Sequence, residues 1–313
     1  MPGSSSAATK PWVLASAGED VRVWQNEAGA QVPPEPAILQ PHGQYATNCV
    51  QWDHTGGMLG SCGDDGCVRV SSVLQQEVVT LQPEEGALAP VNCFSFSSGS
   101  GYVCSGAADG VVRVWDMKQR RTVQRYDDHH GCAVTSISFS ANDAHIVSGD
   151  AEGQVLIHGL VDQNLSATLP RPDEDRAPVR HLEFSRLRKS LLGTAMAHGT
   201  VHVWDINAAT RPLVSFTQHT AACTGVVFSP VNDVLFCSAG MDGLIVFYDL
   251  QQQKIVKKLP TEVPITSLCF HDDGVTIAAG HATGDITIFD LRAARGNKPR
   301  MTIQVRFQII GNL

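Results

Sequence analysis

One turn recurs seven times along this chain, and each copy leads into a short strand of β-branched and aromatic residues. The copies are Ala17-Gly18-Glu19-Asp20, Gly63-Asp64-Asp65-Gly66, Ala107-Ala108-Asp109-Gly110, Asp150-Ala151-Glu152-Gly153, Met196-Ala197-His198-Gly199, Gly240-Met241-Asp242-Gly243 and His281-Ala282-Thr283-Gly284. Six end in glycine, and those glycines are spaced 44, 43, 46, 44 and 41 residues apart. A period near forty residues marks a repeat architecture, whose units bury their apolar faces only by stacking on one another. That constraint overrides the two-domain expectation that 313 residues would otherwise raise.

Residues 91–126 show the unit in full. Val91-Asn92-Cys93-Phe94-Ser95-Phe96 reads as a first strand and Tyr102-Val103-Cys104-Ser105 as a second. After the turn ending at Gly110, Val111-Val112-Arg113-Val114-Trp115 is a third strand and 122–126 a fourth. β-Branched and aromatic residues fill the strands, while Gly, Asp, Asn and Ser fill the gaps. Further first strands fall at 49–53, 133–139, 179–184, 223–228 and 265–270, and third strands end at Trp24, Ser71, Trp115, His158, Trp204, Tyr248 and Phe289. Four-stranded sheets repeated radially make a β-propeller. Seven third strands predict an all-β, seven-bladed ring over residues 12–305, after a small polar segment at 1–11. Blade one lacks a first strand at the N-terminal end, because 12–16 reads as a second strand. The segment 301–310, where Ile303, Val305, Phe307 and Ile309 alternate, is the expected closing strand, with 306–313 a tail or the end of that closure.

Composition excludes several functions. A net charge of −8 argues against general nucleic-acid binding, which needs a basic excess. Nine cysteines, an odd number, sit mostly in apolar strands and predict free thiols in a reducing compartment such as the cytoplasm. No secretory signal and no bilayer-spanning run is visible. No nucleophile elbow, phosphate-binding loop or H-E-x-x-H motif is present, so no catalytic centre, metal or cofactor is expected. Cys62 and Cys67 flank a hairpin turn without a second ligand pair, so they read as ordinary turn residues. His129-His130 beside Asp127-Asp128 reads as a connector whose histidine tucks against a turn. Asp116, Asp205, Asp249 and Asp290 each end a third strand and are expected to cap the following turn.

Val-Trp-Asp at 114–116 and 203–205, Phe-Tyr-Asp at 247–249 and Ile-Phe-Asp at 288–290 resemble the WD-repeat signature. The resemblance implies a seven-bladed WD-repeat β-propeller in which a His, a Ser or Thr, a turn Asp and a Trp form a hydrogen-bonded chain within each blade. Blade six comes nearest, with His219, Ser238, Asp242 and Tyr248. Blade three has Ser105, Asp109 and Trp115 without a His, and blade four has His130 and Ser148 with His158 for Trp. With no blade keeping the whole set, apolar packing is expected to carry more of the stability. Two longer stretches, 179–193 and 228–249, together with the early Ala17-Gly18-Glu19-Asp20 turn, resemble the propeller of the NEDD-type (GCP-WD) family, which targets the γ-tubulin ring complex to centrosomes and spindles. This implies a non-catalytic scaffold for centrosomal, spindle or microtubule-associated proteins in microtubule nucleation. The ring complex itself would be held by a C-terminal helical region that is not part of this sequence. An alternative is a substrate receptor of a cullin-type ubiquitin ligase, because Ile288-Phe289-Asp290-Leu291-Arg292 is similar to the W-D-x-R docking box.

Charge also sorts by face. In a propeller the connectors and second-to-third turns share one face, which here collects acids such as Glu19, Asp20, Asp64, Asp65, Asp109, Glu152 and Asp242. The opposite face collects Lys118, Arg120, Arg121, Arg186, Arg188, Lys189, Arg292 and Arg295, with Leu187 between two cations as a candidate anchor. A monomeric disc with an axial dipole is expected, its basic face meeting an acidic protein partner.

Overall fold

A computed structural model describes residues 12–26, 35–72, 77–83, 88–127, 130–160, 165–170, 176–208, 211–292, 299 and 301–303. They form seven antiparallel sheets, six of four strands and one of three, each built from strands consecutive in the chain. The inner strands of blades two to seven are Thr47–Trp52, Val91–Phe96, Val134–Phe139, Val179–Phe184, Cys223–Phe228 and Ile265–Phe270. They stand side by side around a central axis. Among the described residues the helical element is a single 3-10 turn, Ile206–Ala208. The six glycines that set the period all lie at positive φ, between 71° and 94°. At Gly110 a Cβ would also come within 2.7 Å of the His130 carbonyl oxygen, so glycine satisfies both the backbone and the packing there.

The inner strands share a second device, invisible in the strand pattern. Each pairs with its second strand through a register shift that skips its second residue: Asn48, Asn92, Thr135, Arg180, Thr224 and Thr266. A bulge releases that residue from the ladder and turns its side chain. Four of the six use this freedom to reach the next blade. Asn48 Nδ2 donates to Val91 O at 3.0 Å, Asn92 Nδ2 to Val134 O at 2.8 Å, Thr135 Oγ1 to Val179 O at 2.6 Å and Thr224 Oγ1 to Ile265 O at 2.7 Å. In blade five Arg180 breaks the series, and His181 Nδ1 meets Val226 O at 3.1 Å instead.

The apolar core lies between blades. Val226, Phe228, Phe236 and Tyr248 of blade six pack on Leu191, Val203 and Phe216 of blade five, and blades two and three meet in the same way through Val70, Leu81, Phe94 and Trp115. Glycines on second strands open the slots for this packing. A Cβ at Gly106 would sit 2.4 Å from Val134 Cγ1, and one at Gly149 2.6 Å from Val179 Cγ1.

Blade one has three strands among the described residues, Trp12–Ala17, Val21–Asn26 and Ala37–Leu39. The first three residues of the segment expected to close it are used differently. Met301–Ile303 is the outermost strand of blade seven, with Ile303 opposite Ile286, and residues 304–313 lie outside the described ones. The seam between blades seven and one is packed by Trp24 against Ile286, Ile288 and Ile303.

The slots make a sharp prediction. Gly106→Ala and Gly149→Ala force a methyl against the next blade and should each cost roughly 1–3 kcal/mol. Gly99→Ala, with nothing within 4 Å of the new Cβ, should leave the thermal midpoint unchanged. Equal midpoints for all three would show that the slots are not tight.

Candidate functional site

Backbone hydrogen bonds define the two faces of the ring. Loops joining first and second strands bond the third-to-fourth turns: Met117 N–H to Gly101 O at 3.0 Å, Ile206 to Ser190 at 2.9 Å and Leu250 to Val234 at 2.8 Å. On the other face, second-to-third turns bond the connectors, as in Ala108 N–H to Pro90 O and Met241 N–H to Ala222 O, both 2.8 Å. Lys118 and Arg120 lie on a third-to-fourth turn of the first face and Arg121 begins the strand after it. Arg186, Arg188 and Lys189 lie on the first-to-second loop of blade five, and Arg292 follows the third strand of blade seven. Arg295 lies outside the described residues.

These cations are not equivalent. Arg120 pairs with Glu77 at 2.5 Å, Arg186 with Asp272 at 2.9 Å and Arg292 with Asp290 at 2.7 Å. Arg292 also donates through Nε to the same carboxylate at 3.0 Å, so the guanidinium is engaged by its own blade and the ligase-box reading loses its arginine. Among the described residues Lys118, Arg188 and Lys189 have no ion-pair partner, while Arg121 donates to the Gln119 side chain at 2.6 Å. The opposite face is also less acidic than the carboxylates alone suggest. Arg22 pairs with Asp20, Arg69 with Asp65, Arg113 with Asp109 and Arg176 with Glu152. These pairs reduce the expected axial dipole and leave local cationic spots on the first face.

One such spot borders a crevice of about 500 Å³ between blades five and six. Leu213, Val214, Val234 and Leu250 make its apolar part, with Arg188, Asp233, Gln251 and Gln253 among its lining. Leu213 is 49% exposed, and Leu187, next to Arg188 in the chain, 46%. A second hollow, about 350 Å³, lies on the connector face and is lined by Arg180, Ala222, Thr224, Met241 and Thr266. Sequence reading marked Arg188 and Leu187 but missed Leu213, Val234 and Leu250, whose convergence depends on the docking of two blades.

Inside the blades the polar chains are more complete than expected. In blade six His219 Nδ1 lies 3.0 Å from Asp242, His219 Nε2 2.7 Å from Ser238, and Ser238 3.0 Å from the Tyr248 hydroxyl. The carboxylate only accepts, so the histidine donates to it and the chain runs in one direction from Tyr248 to Asp242. Blade four builds the same chain from His158, Ser148, His130 and Asp150, with distances of 2.8, 2.7 and 2.9 Å. Its aspartate comes from the start of the turn, not from the usual third place. Blade two carries a shorter version, His42 with Asp65 at 2.7 Å and Ser61 at 3.0 Å. A histidine four or five residues before an inner strand is the signal that would have found His42. In blades three and five the Trp115 and Trp204 indoles donate to Ser105 at 2.9 Å and Thr194 at 3.3 Å. As expected, neither blade four nor blade six holds a tryptophan in the set; each completes the chain with a substitute, His158 or Tyr248, and blade four recruits Asp150 where no aspartate was assigned.

Burial pushes the His42 imidazole below its ordinary value, against the pull of Asp65. Burial pushes Asp150 up, but hydrogen bonds from His130 and from backbone N–H groups outweigh it and hold the carboxyl low. Asp65 is held low likewise by Arg69 and His42. Glu183 differs: burial raises it to about 7, opposed only by the Phe228 N–H at 3.1 Å and the nearby Arg186 charge. The Cys237 and Cys269 thiols near it are themselves raised by burial.

Cys62 and Cys67 are buried and free, and burial pushes the Cys62 thiol up. His130 is tucked against the turn at Asp150, as expected, while Asp128 and His129 lie outside the described residues. Asp116, Asp205, Asp249 and Asp290 accept backbone N–H groups two or three residues on, at 2.7 to 3.1 Å. Among the described residues no group of three or more His, Cys, Asp or Glu side chains is placed to hold a metal.

A model of the nucleolar protein 10-like N-terminal domain matches residues 79–249, and the WD domain, G-beta repeat model matches residues 35–70 and 253–290. This chain belongs to the WD-repeat β-propeller family. The nucleolar protein 10-like model alone spans more than half of it. Protein NEDD1 of Homo sapiens is 34% identical over 281 residues, 89% of this chain and 41% of NEDD1. The chain therefore spans about two fifths of that relative. Eukaryotic translation initiation factor 3 subunit I of Drosophila melanogaster is 24% identical, over 83% of this chain and 81% of the relative. Among solved structures, the C-terminal WD40 domain of Sif2 aligns with a TM-score of 0.69 at 17% identity, covering 89% of this chain and 78% of that one. This likeness shows the fold.

Two measurements test the polar interior. His219→Ala leaves a buried hydroxyl and a buried carboxylate without their shared partner and should cost about 3 kcal/mol, against about 1 kcal/mol for Tyr248→Phe. Urea unfolding that ranks them in the reverse order would show that Tyr248 anchors the chain. For Glu183, the unfolded chain loses its proton near 4.5 while the fold retains it up to about 7. Stability conferred by the protonated carboxyl is therefore lost as pH rises through that window. Glu183→Gln should raise the thermal midpoint at pH 8 and leave it nearly unchanged at pH 5; equal gains at both would show that its ionisation is not the cause.

Proposed function

We propose that this propeller is the targeting module of a γ-tubulin ring complex recruitment factor, a non-catalytic scaffold that docks to centrosomal, spindle or microtubule-associated proteins. The observation that carries this reading is the 34% identity to NEDD1 over 281 residues, 89% of the chain, a span several repeats long and not one shared repeat. The two stretches behind the resemblance, 179–193 and 228–249, belong to the neighbouring blades five and six. The proposed contact is the basic face, where Lys118, Arg188 and Lys189, which have no ion-pair partner among the described residues, meet acidic surface on the partner. Cations without a local partner serve this best, because binding need not first break an existing ion pair. The expected place of action is the cytoskeleton, at centrosomes and spindle poles, with microtubule nucleation depending on sequence beyond this propeller.

The reading is tested by expressing a fluorescently tagged chain in dividing cells. It should concentrate at spindle poles or centrosomes, and reversal of Arg186, Arg188 and Lys189 to Glu should disperse it while leaving the melting midpoint intact. Diffuse signal from the unaltered chain sinks the targeting role. Polar signal from the reversed chain moves the contact off this face. Recovery of a cullin adaptor with no centrosomal protein would favour the ligase alternative.

A further inference from the structure

We infer that the crevice between blades five and six is a docking site for a short, acidic, amphipathic segment of a partner protein, with one large apolar side chain lodged in the crevice and a carboxylate on Arg188. This rests on reading the propeller as a docking scaffold, and it names where on the disc the partner sits and what chemistry it presents.

Three features of the molecule meet at this place. The first is volume with an apolar wall: about 500 Å³ bounded by Leu213, Val214, Val234 and Leu250. Leu213 keeps 49% of its surface in solvent, although a leucine gains by leaving water. The second is unbalanced charge. Arg186 is engaged by Asp272, yet among the described residues Arg188 and its neighbour Lys189 have no counter-ion. Asp233 is the one carboxylate among the described lining residues, set against Arg188 there; close by in the chain Lys189, Arg211 and Lys254 outnumber Asp205 and Asp249, whose carboxylates already accept turn N–H groups, so the local balance favours an anionic visitor. The third is continuity. Gln253 of the lining runs directly into the outermost strand of blade six, Lys254–Pro260, where Ile255 and Val256 are 37% and 61% exposed. An amphipathic segment lying from Leu187 toward Val256 covers apolar surface that the ring leaves wet. The Gln251 and Gln253 amides, each both donor and acceptor, suit the peptide backbone of such a visitor. Asp233 gives the segment a polarity, favouring a donor at one end and a carboxylate at the other.

The test is selection of a phage-displayed library of random peptides on the purified chain, followed by fluorescence anisotropy with the selected peptides. Enriched peptides should combine a large apolar residue with nearby Asp or Glu. Leu213→Glu and Arg188→Glu should each weaken binding by about tenfold or more. Val123→Glu, on an exposed strand of blade three, should leave it unchanged, and melting curves report whether each variant is folded. A photoreactive group replacing the apolar residue of a selected peptide should cross-link to blade five or six. Failure to select any peptide, or selected peptides that ignore both substitutions, overturns the crevice. Binding in the crevice by a chain that stays diffuse in dividing cells overturns the targeting reading and leaves the crevice standing.

Discussion

The seams that follow blades two, three, four and six are held by one repeated contact, and the regularity of the ring rests on it. A bulge near the start of the inner strand frees a short polar side chain, which bonds the first carbonyl of the neighbouring inner strand. Behind it, a glycine on the second strand admits a branched side chain from the same neighbour. One element thus satisfies a backbone acceptor at the axis while the other closes the apolar seam. Four-stranded sheets of this size are marginal alone, so stability resides in these interfaces more than in any blade. Between blades seven and one, among the described residues, Trp24 and three isoleucines make the seam by packing.

The buried polar chains add a different property. Hydrophobic surfaces tolerate sliding, whereas a His–Ser–Asp chain with fixed donors and acceptors accepts one geometry. Blades four and six each hold four linked groups, and the aspartates that end these chains also accept backbone N–H groups of the adjoining turns. The turn is thereby locked to the sheet, and the loops above it acquire a fixed position. For the docking role proposed above, that rigidity lowers the ordering cost of binding.

The period, the blade number and the turn glycines were legible in sequence because each needs one residue type at one place. The polar chains were only partly legible, because geometry and not position decides which aspartate serves. Asp150 and Asp242 occupy different places in their turns yet reach the same histidine nitrogen. Asn92 and Thr135 read as ordinary polar strand residues and Asn48 falls just before the expected first strand, since a bulge leaves no mark beyond its spacing. Face assignment needed only topology and so could be read from the chain. The ion pairs that offset it could not, because Arg120 with Glu77 and Arg186 with Asp272 join residues 43 and 86 positions apart.

Departures from the repeat are where such a ring becomes individual. Arg180 occupies a bulge position that elsewhere holds Asn or Thr; the bridge passes to His181, and Arg180 instead lines a hollow. On the opposite face of the same blade, Arg188 and Lys189 have no counter-ion among the described residues and stand next to exposed leucines. Neither feature helps blade five to pack: a long cation is a poorer inter-blade bridge than threonine, and unpaired charge beside wet apolar surface contributes little to stability. The regular parts of the ring account for its shape completely without them. Residues that the architecture does not require, gathered on one blade and its neighbour, are the physical ground for placing recognition there and leaving the remaining blades to hold it still.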